Sequence, residues 1–157
     1  MPTLYHGSNT LFDHPDLRAG RDRRDFGLGF YTTTLRSQAE DWARSVAERF
    51  GGRPRLYIFE FAPTADLVVK EFPEIDVEWL DMVKANRLLG GLRHDFDVVI
   101  GPVADDNTMR TISLYVAGLY DAEEAMRRLR HFKTNDQVSL HTRRALDRLA
   151  LKGREHV

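Results

Sequence analysis

The chain has 157 residues, of which 42% are hydrophobic and 30% charged, and its formal net charge is −1. This balance predicts one globular domain over residues 1–157 and provides neither a basic nor an acidic global field for a charged partner. The lack of cysteine excludes disulfides and thiolate metal sites. No apolar run approaches the ~20 residues that span a bilayer, so we expect no membrane partner and a cytoplasmic location.

The first part of the chain predicts two short strands, a long loop and a helix. Strands are expected at Thr3 to His6 and Phe30 to Thr33, and the polar loop from Gly7 to Arg24 is long enough to form a binding element or lid. Thr34 can cap a helix from Leu35 to Phe50, which a glycine pair ends. Its apolar face would consist of Ala39, Trp42, Ala43, Val46, Ala47 and Phe50.

The rest of the chain mixes strands and helices without a regular repeat. Strands are expected at Arg55 to Phe61, Leu67 to Lys70, Phe96 to Ile100 and Gln137 to His141. Helices are expected from Asp76 to Gly90, Thr108 to Leu119, Ala122 to Phe132 and Arg143 to Lys152. The last helix would turn Leu146 and Leu149 inward. This order predicts an α+β fold rather than a doubly wound sheet.

The run from Asp25 to Thr33 has the composition of a ligand-binding segment. Gly27 and Gly29 allow a close approach of the backbone, and the ring of Tyr31 can stack on a planar group such as the nicotinamide of a nucleotide. The structural alternatives are a turn or bulge for the glycines and a core position for the tyrosine. His6, Tyr31 and Gln137 lie on three predicted strands and are candidates for one cleft.

The histidines, tryptophans and arginines elsewhere in the chain give weaker indications of a functional site. The six histidines show no His-x-His or His-Glu-x-x-His spacing, so we expect no metal. Trp42 and Trp79 are interpreted as core or interface anchors. Arginine clusters are either solvated faces or local phosphate sites, and they occur at Arg18 to Arg24, Arg127 to Arg130 and Arg143-Arg144.

Four segments resemble the ADP-ribosyltransferase superfamily, in the branch with a His-Tyr-Glu signature that includes poly-ADP-ribose polymerases and diphtheria toxin. They are Tyr5-His6-Gly7-Ser8, Gly27 to Thr33 with the following helix, Asp97 to Asp106, and Asn135 to Thr142. The chain is also similar to a bacterial family of unknown function that carries the Asp-Phe-Gly-x-Gly-Phe-Tyr-Thr-Thr box. The resemblance covers nearly the whole chain and implies a compact, mixed β core flanked by helices.

The resemblance implies a site for NAD as substrate, without a metal. His6 would hydrogen-bond the adenosine-side ribose, the Gly7 backbone and the Ser8 hydroxyl would anchor the nicotinamide amide, and Tyr31 would stack on the nicotinamide ring. Six further residues before and around Tyr31 would also bind NAD: Asp25, Phe26, Gly27, Gly29, Phe30 and Thr32.

Gln137 falls where the resemblance implies a catalytic glutamate. A glutamine keeps the hydrogen bond to the ribose but not the negative charge, and losing one such transition-state contact typically costs ~3 kcal/mol. Asp136 should point to the opposite face of a regular strand. A charge or base could come instead from Asp25, Asp105, Asp106 or His141.

The resulting expectation is an NAD-dependent ADP-ribosyltransferase that modifies a protein or nucleic-acid acceptor and releases nicotinamide. Members of such bacterial families often act as toxins of toxin–antitoxin pairs, so the resemblance also implies a candidate antitoxin partner. One alternative is an NAD glycohydrolase, in which water is the acceptor. The other is a non-catalytic module that binds NAD or ADP-ribose, because Gln137 is neutral.

Overall fold

The described residues form two β-sheets and five helices in a compact α+β fold, as predicted. The computed structural model describes residues 2–18, 20, 23–103, 106–129 and 135–157. The strands are β1 (Thr3–Ser8), β2 (Phe30–Thr32), β3 (Arg55–Phe61), β4 (Val69–Glu71), β5 (Val98–Val103), β6 (Asn135–Leu140) and β7 (Leu149–His156). The helices are α1 (Arg36–Phe50), α2 (Val77–Leu89), α3 (Asp106–Val116), α4 (Ala122–Leu129) and α5 (Arg143–Leu146).

The two sheets meet edge to edge near the start of the chain. The first sheet has the order β1-β3-β7 and is antiparallel, and the second has the order β2-β6-β5-β4 with only β4 and β5 parallel. Tyr5 and Thr33 exchange two backbone hydrogen bonds, of 2.8 and 2.9 Å, and so join β1 to the end of β2. The residue that follows β2 is thereby held against β1.

The strands β2, β5 and β6 of the second sheet are buried on both faces, whereas Val69 and Glu71 of the edge strand β4 are exposed. Consecutive residues of a strand point to opposite faces, and Val98 packs in a core shared with the first sheet while Val99 packs against α2, α3 and α4. The same alternation in β2 places Phe30 in the first core and Tyr31 against the second. Side chains on the Tyr31 face therefore meet the helices, and those on the Phe30 face meet β1 and β3.

Helix α1 packs closely on β1 through small residues. A Cβ atom on Gly7 would lie 2.1 Å from the carbonyl oxygen of Ala39, and both Ala39 and Ala43 are buried. This contact leaves no room for large side chains, so the predicted apolar face is only partly correct: Trp42 and Phe50 are 41% and 61% exposed. Sequence alone could not reveal this, because the helix buries one narrow stripe and not the whole apolar face.

The predicted cap of α1 was also wrong. Leu35 occupies the N-cap position without a side-chain bond, and its backbone N–H donates to the Thr33 hydroxyl at 3.0 Å. Thr34 instead donates its hydroxyl to the Asp136 carboxylate. The threonines after β2 therefore tie this strand to β6, which is a tertiary contact that outweighs local capping.

The predicted helix from Arg143 to Lys152 is wrong beyond its first turn. Helix α5 ends at Leu146, and the chain then forms β7, which pairs with β3 from Phe61 to Arg55. Helix formers such as leucine, alanine and lysine dominate this segment, but the open edge of β3 overrides weak local propensity. Leu146 is buried, as expected.

The remaining predicted elements are present with shifted ends. Asp76 caps α2 by accepting a hydrogen bond from the Trp79 backbone, and Asp121 accepts one from the Glu124 backbone at the start of α4. The predicted end of α4 at Phe132 lies outside the described residues. No helix in the described part of the chain is both long enough and apolar enough to cross a membrane.

The close packing of β1 on α1 predicts that Gly7→Ala destabilises the protein. The new methyl group would collide with backbone atoms of α1, which cannot rotate away, so we expect a loss of about 2 kcal/mol or more in the free energy of unfolding measured with denaturant. Gly153→Ala is the matched control, because the nearest atom to its Cβ is a side-chain carbon at 3.8 Å. Equal stabilities of the two variants would contradict this packing.

Candidate functional site

A buried carboxylate lies beside Gln137. Asp25 is 6% exposed, and its Oδ1 atom accepts hydrogen bonds from Nε and Nη2 of Arg87 at 2.9 and 2.5 Å. Its other oxygen, Oδ2, accepts a hydrogen bond of 3.3 Å from Nε2 of Gln137. The segment before β2, the end of α2 and strand β6 thus converge on one negative charge.

Gln137 is buried at the middle of this convergence. It is 5% exposed, and its Nε2 atom also donates to the Pro102 carbonyl at 3.3 Å. Asp136 points to the opposite face, as predicted, where it accepts hydrogen bonds from Thr33 and Thr34. Asp105 and the side chain of Asp106, the other candidate bases, lie outside the described part of the chain.

Tyr31 lies on the Gln137 face, as strand alternation predicts. Its hydroxyl accepts a hydrogen bond from the Phe26 backbone at 3.0 Å and donates one to the Gly27 carbonyl at 2.6 Å. Burial raises the pKa of Tyr31, so the hydroxyl stays protonated and can donate. The hydroxyl therefore holds the turn that presents Asp25.

A planar cation covers the ring of Tyr31. The guanidinium carbon of Arg24 lies 4.0 Å from the centre of that ring and 5.5 Å from the centre of the Trp42 ring. Sequence reasoning assigned Trp42 to the core or an interface and did not pair Arg24 with either ring. No local pattern separates Trp42 from the rest of the apolar face of α1, because only the close packing of Ala39 and Ala43 on Gly7 leaves the tryptophan exposed.

The glycines of the box serve the protein's own packing. Gly27 has φ 90°, and a Cβ there would lie 2.5 Å from the side-chain oxygen of Asn86. A Cβ on Gly29 would lie 2.6 Å from Nδ1 of His141. Contacts within the protein therefore explain both glycines, and only the side chains of this segment indicate a ligand.

Three other residues of the predicted binding segment are enclosed by protein. Phe26 is fully buried in the second core and Phe30 packs in the first. Thr32 is buried and donates its hydroxyl to the Val138 carbonyl at 2.7 Å. These three side chains pack inside the protein, and none of them offers an exposed surface to a ligand.

His6 lies on the other face of β2 from the Tyr31 ring. Its imidazole stacks on Phe30 with ring centres 4.2 Å apart, and its Nδ1 donates to the Tyr31 carbonyl at 2.6 Å. Burial lowers the pKa of His6 to about 4, so the ring is neutral at pH 7 and Nε2 carries an acceptor lone pair. The structure therefore joins His6 to Tyr31 through the backbone and does not bring the two rings together. Ser8 follows on β1, with its hydroxyl 3.1 Å from that of Thr10.

Two neutral histidines also donate to carbonyls of the turn, His94 from the segment before β5 and His141 from the position after β6. His141 donates from Nδ1 to the Leu28 carbonyl at 2.9 Å and accepts from the Ser139 hydroxyl, 2.8 Å from its Nε2. His94 donates from Nε2 to the Phe26 carbonyl at 2.7 Å, and the two imidazole centres are 4.5 Å apart. Burial, with a smaller effect of His94, lowers the pKa of His141 to about 4. His141 shares the Gln137 face, as predicted, and is enclosed there.

In the described part of the chain, the second and third arginine clusters form ion pairs. Arg127 and Arg128 both pair with Glu124, and Arg144 binds the buried carboxylate of Asp97 at 2.7 Å. The described residues contain no group of three or more acidic or histidine side chains that could hold a metal ion. These arginines accordingly act as partners of carboxylates.

The buried imidazoles predict acid-sensitive stability. His6 and His141 have folded pKa values of about 4 against an ordinary value of 6.5, so between about pH 4 and 6.5 the unfolded chain binds more protons than the folded one. Lowering the pH through this window reduces stability, by up to about 1.4 kcal/mol per pH unit for each histidine. His141→Gln should flatten the dependence measured by denaturant unfolding, whereas His14→Gln, at an exposed position, should not. A profile unaltered by His141→Gln would contradict a buried neutral imidazole.

The comparisons with known proteins identify one family. A family described as "Protein of unknown function (DUF3990)" matches residues 2–151, which include β1, the box and β6. A search of curated proteins finds no match. Because the match covers almost the entire chain, the protein belongs to the DUF3990 family, whose function is unknown.

Proposed function

We propose that the protein is an NAD-dependent ADP-ribosyltransferase, which releases nicotinamide and transfers ADP-ribose to a protein or nucleic-acid acceptor. The observation that carries the proposal is the Asp25 carboxylate, 3.3 Å from the Gln137 amide. Gln137 lacks the charge of the glutamate implied by the resemblance, and Asp25 would supply that charge from the neighbouring position. The positive charge that develops on the ribose as nicotinamide leaves would then face a carboxylate.

The hydrogen bonds of Asp25 favour this role. Nε and Nη2 of Arg87 both donate to Oδ1 of Asp25, and Oδ2 is directed toward Gln137. The Gln137 amide donates to Asp25, which leaves its carbonyl to accept a hydrogen bond from the ribose 2′-hydroxyl. Gln137 would thus orient the ribose, and Asp25 would provide the electrostatic stabilisation.

Tyr31 and His6 support NAD as the ligand. The Tyr31 ring holds the guanidinium of Arg24 on its face, and the nicotinamide ring of NAD is also a planar cation. The lone pair on Nε2 of His6 could accept a hydrogen bond from a ribose hydroxyl. Action in the cytoplasm as a toxin, with an antitoxin as partner, is a further part of the proposal that rests on the resemblance.

A second candidate is a module that binds NAD or ADP-ribose without turnover. It is favoured by the ion pair between Arg87 and Asp25, because the guanidinium offsets the charge that the reaction would need. Calorimetry with NAD, combined with an assay of nicotinamide release, separates the candidates: binding without release indicates the module. Release without a labelled macromolecule indicates NAD hydrolysis.

The proposal predicts that Asp25→Asn slows nicotinamide release about a hundredfold, since one preorganised charge is lost. The assay uses NAD labelled in the ADP-ribose part, a cell lysate as acceptor source, and detection of both nicotinamide and transferred label. Asp136→Asn is the matched control, because this neighbouring carboxylate faces away from Gln137. If folded wild-type protein neither releases nicotinamide nor transfers label, the transferase proposal is wrong.

A further inference from the structure

The guanidinium of Arg24 lies close to two aromatic rings that belong to different parts of the fold. Tyr31 lies on β2 in the second sheet, and Trp42 lies on α1, which packs against the first sheet. The Arg24 guanidinium lies 4.0 Å from one ring centre and 5.5 Å from the other. Both distances are within the range in which a cation is attracted to an aromatic face. We call the pair Tyr31 and Trp42 the aromatic cradle.

The backbone on both sides of Arg24 is anchored. Arg23 has φ 58°, a left-handed conformation that non-glycine residues rarely adopt, and its Nη1 atom donates to the carbonyls of Arg87 and Leu88 at 3.0 and 2.7 Å. On the other side, Asp25 is bound by the Arg87 guanidinium. The last turn of α2 therefore holds the residues before and after Arg24, so an anchored backbone presents the Arg24 side chain to the two rings.

We propose that Arg24 is an internal plug of the aromatic cradle, which a planar cationic ligand must displace before it can stack on Tyr31. The identity of that ligand, the pyridinium ring of NAD, rests on the function proposed above. The plug competes in two ways: its guanidinium covers the ring face, and its positive charge repels a second cation. The apparent affinity of the ligand is then reduced in proportion to the fraction of molecules whose cradle is open.

The plug can be tested without NAD through the fluorescence of Trp42. Trp79 is fully buried and its indole N–H donates to the Pro102 carbonyl, so acrylamide in solution reports mainly on Trp42. Arg24→Ala should raise acrylamide quenching, and guanidinium chloride at about 0.2 M, compared with sodium chloride at the same concentration, should lower it again by refilling the cradle. Arg49→Ala, which removes an exposed arginine from the last turn of α1, is the matched control and should change nothing.

Ligand competition is measured by calorimetry with N1-methylnicotinamide, a planar cation without phosphates. Arg24→Ala should bind it at least about threefold more tightly than the wild type. Arg24→Lys keeps the charge but not the plane, and should give an intermediate affinity. Unchanged quenching in Arg24→Ala, or an affinity no higher than that of the wild type in a folded variant, would overturn the plug.

The same variants separate this inference from the proposed function. If Arg24→Ala shows the rise in quenching and the tighter binding of N1-methylnicotinamide while no variant binds NAD or releases nicotinamide, the plug stands and the transferase proposal fails. If the wild type releases nicotinamide from NAD but Arg24→Ala changes neither quenching nor affinity, the transferase proposal stands and the plug is wrong.

Discussion

The buried carboxylate of Asp25 is the constraint on which the rest of the site depends. A carboxylate removed from water costs several kcal/mol unless it is paired and hydrogen-bonded. Arg87 provides the pairing from the end of α2, and Gln137 provides a further donor from β6. Meeting this requirement draws a helix, a strand and the segment before β2 to one point, which is where the chemistry of the proposed function would occur.

The turn around Asp25 is held by a set of neutral donors. The Tyr31 hydroxyl and the imidazoles of His94 and His141 donate to three consecutive carbonyls of the turn, those of Phe26, Gly27 and Leu28. Burial keeps these three groups neutral near pH 7, so the turn is held without placing a further charge beside Asp25. Hydrogen bonds at three consecutive carbonyls fix the position of the Asp25 carboxylate relative to the Tyr31 ring, which is what a preorganised binding site requires.

Strand alternation predicted the local parts of this site. It placed Tyr31 away from Phe30, Gln137 together with His141, and Asp136 on the opposite face, because the side-chain period of a strand is a property of the backbone. The irregular order of the predicted strands and helices indicated the α+β class, which is confirmed, and most of the predicted elements are present. Local propensity failed at the end of the chain, where pairing with β3 converts a helical sequence into β7.

Long-range contacts were beyond the sequence. Asp25 and Gln137 are separated by 112 residues, and no periodicity indicates that they meet. The glycines of the box were a true signal of close approach, but the approaching groups are Asn86 and His141 and not a ligand. The exposure of Trp42 and its position near Arg24 likewise depend on how α1 lies on β1, which only the assembled fold decides.

The claim that Asp25 supplies the charge missing from Gln137 is tested most directly by moving that charge. The measurement is the rate of nicotinamide release from NAD by the double variant Asp25→Asn, Gln137→Glu, compared with Asp25→Asn alone. Because the two side chains are hydrogen-bonded neighbours, a carboxylate at position 137 should recover at least about tenfold of the lost rate, as expected for part of one electrostatic contact. A double variant as slow as Asp25→Asn alone, or an Asp25→Asn variant as fast as the wild type, would contradict the account.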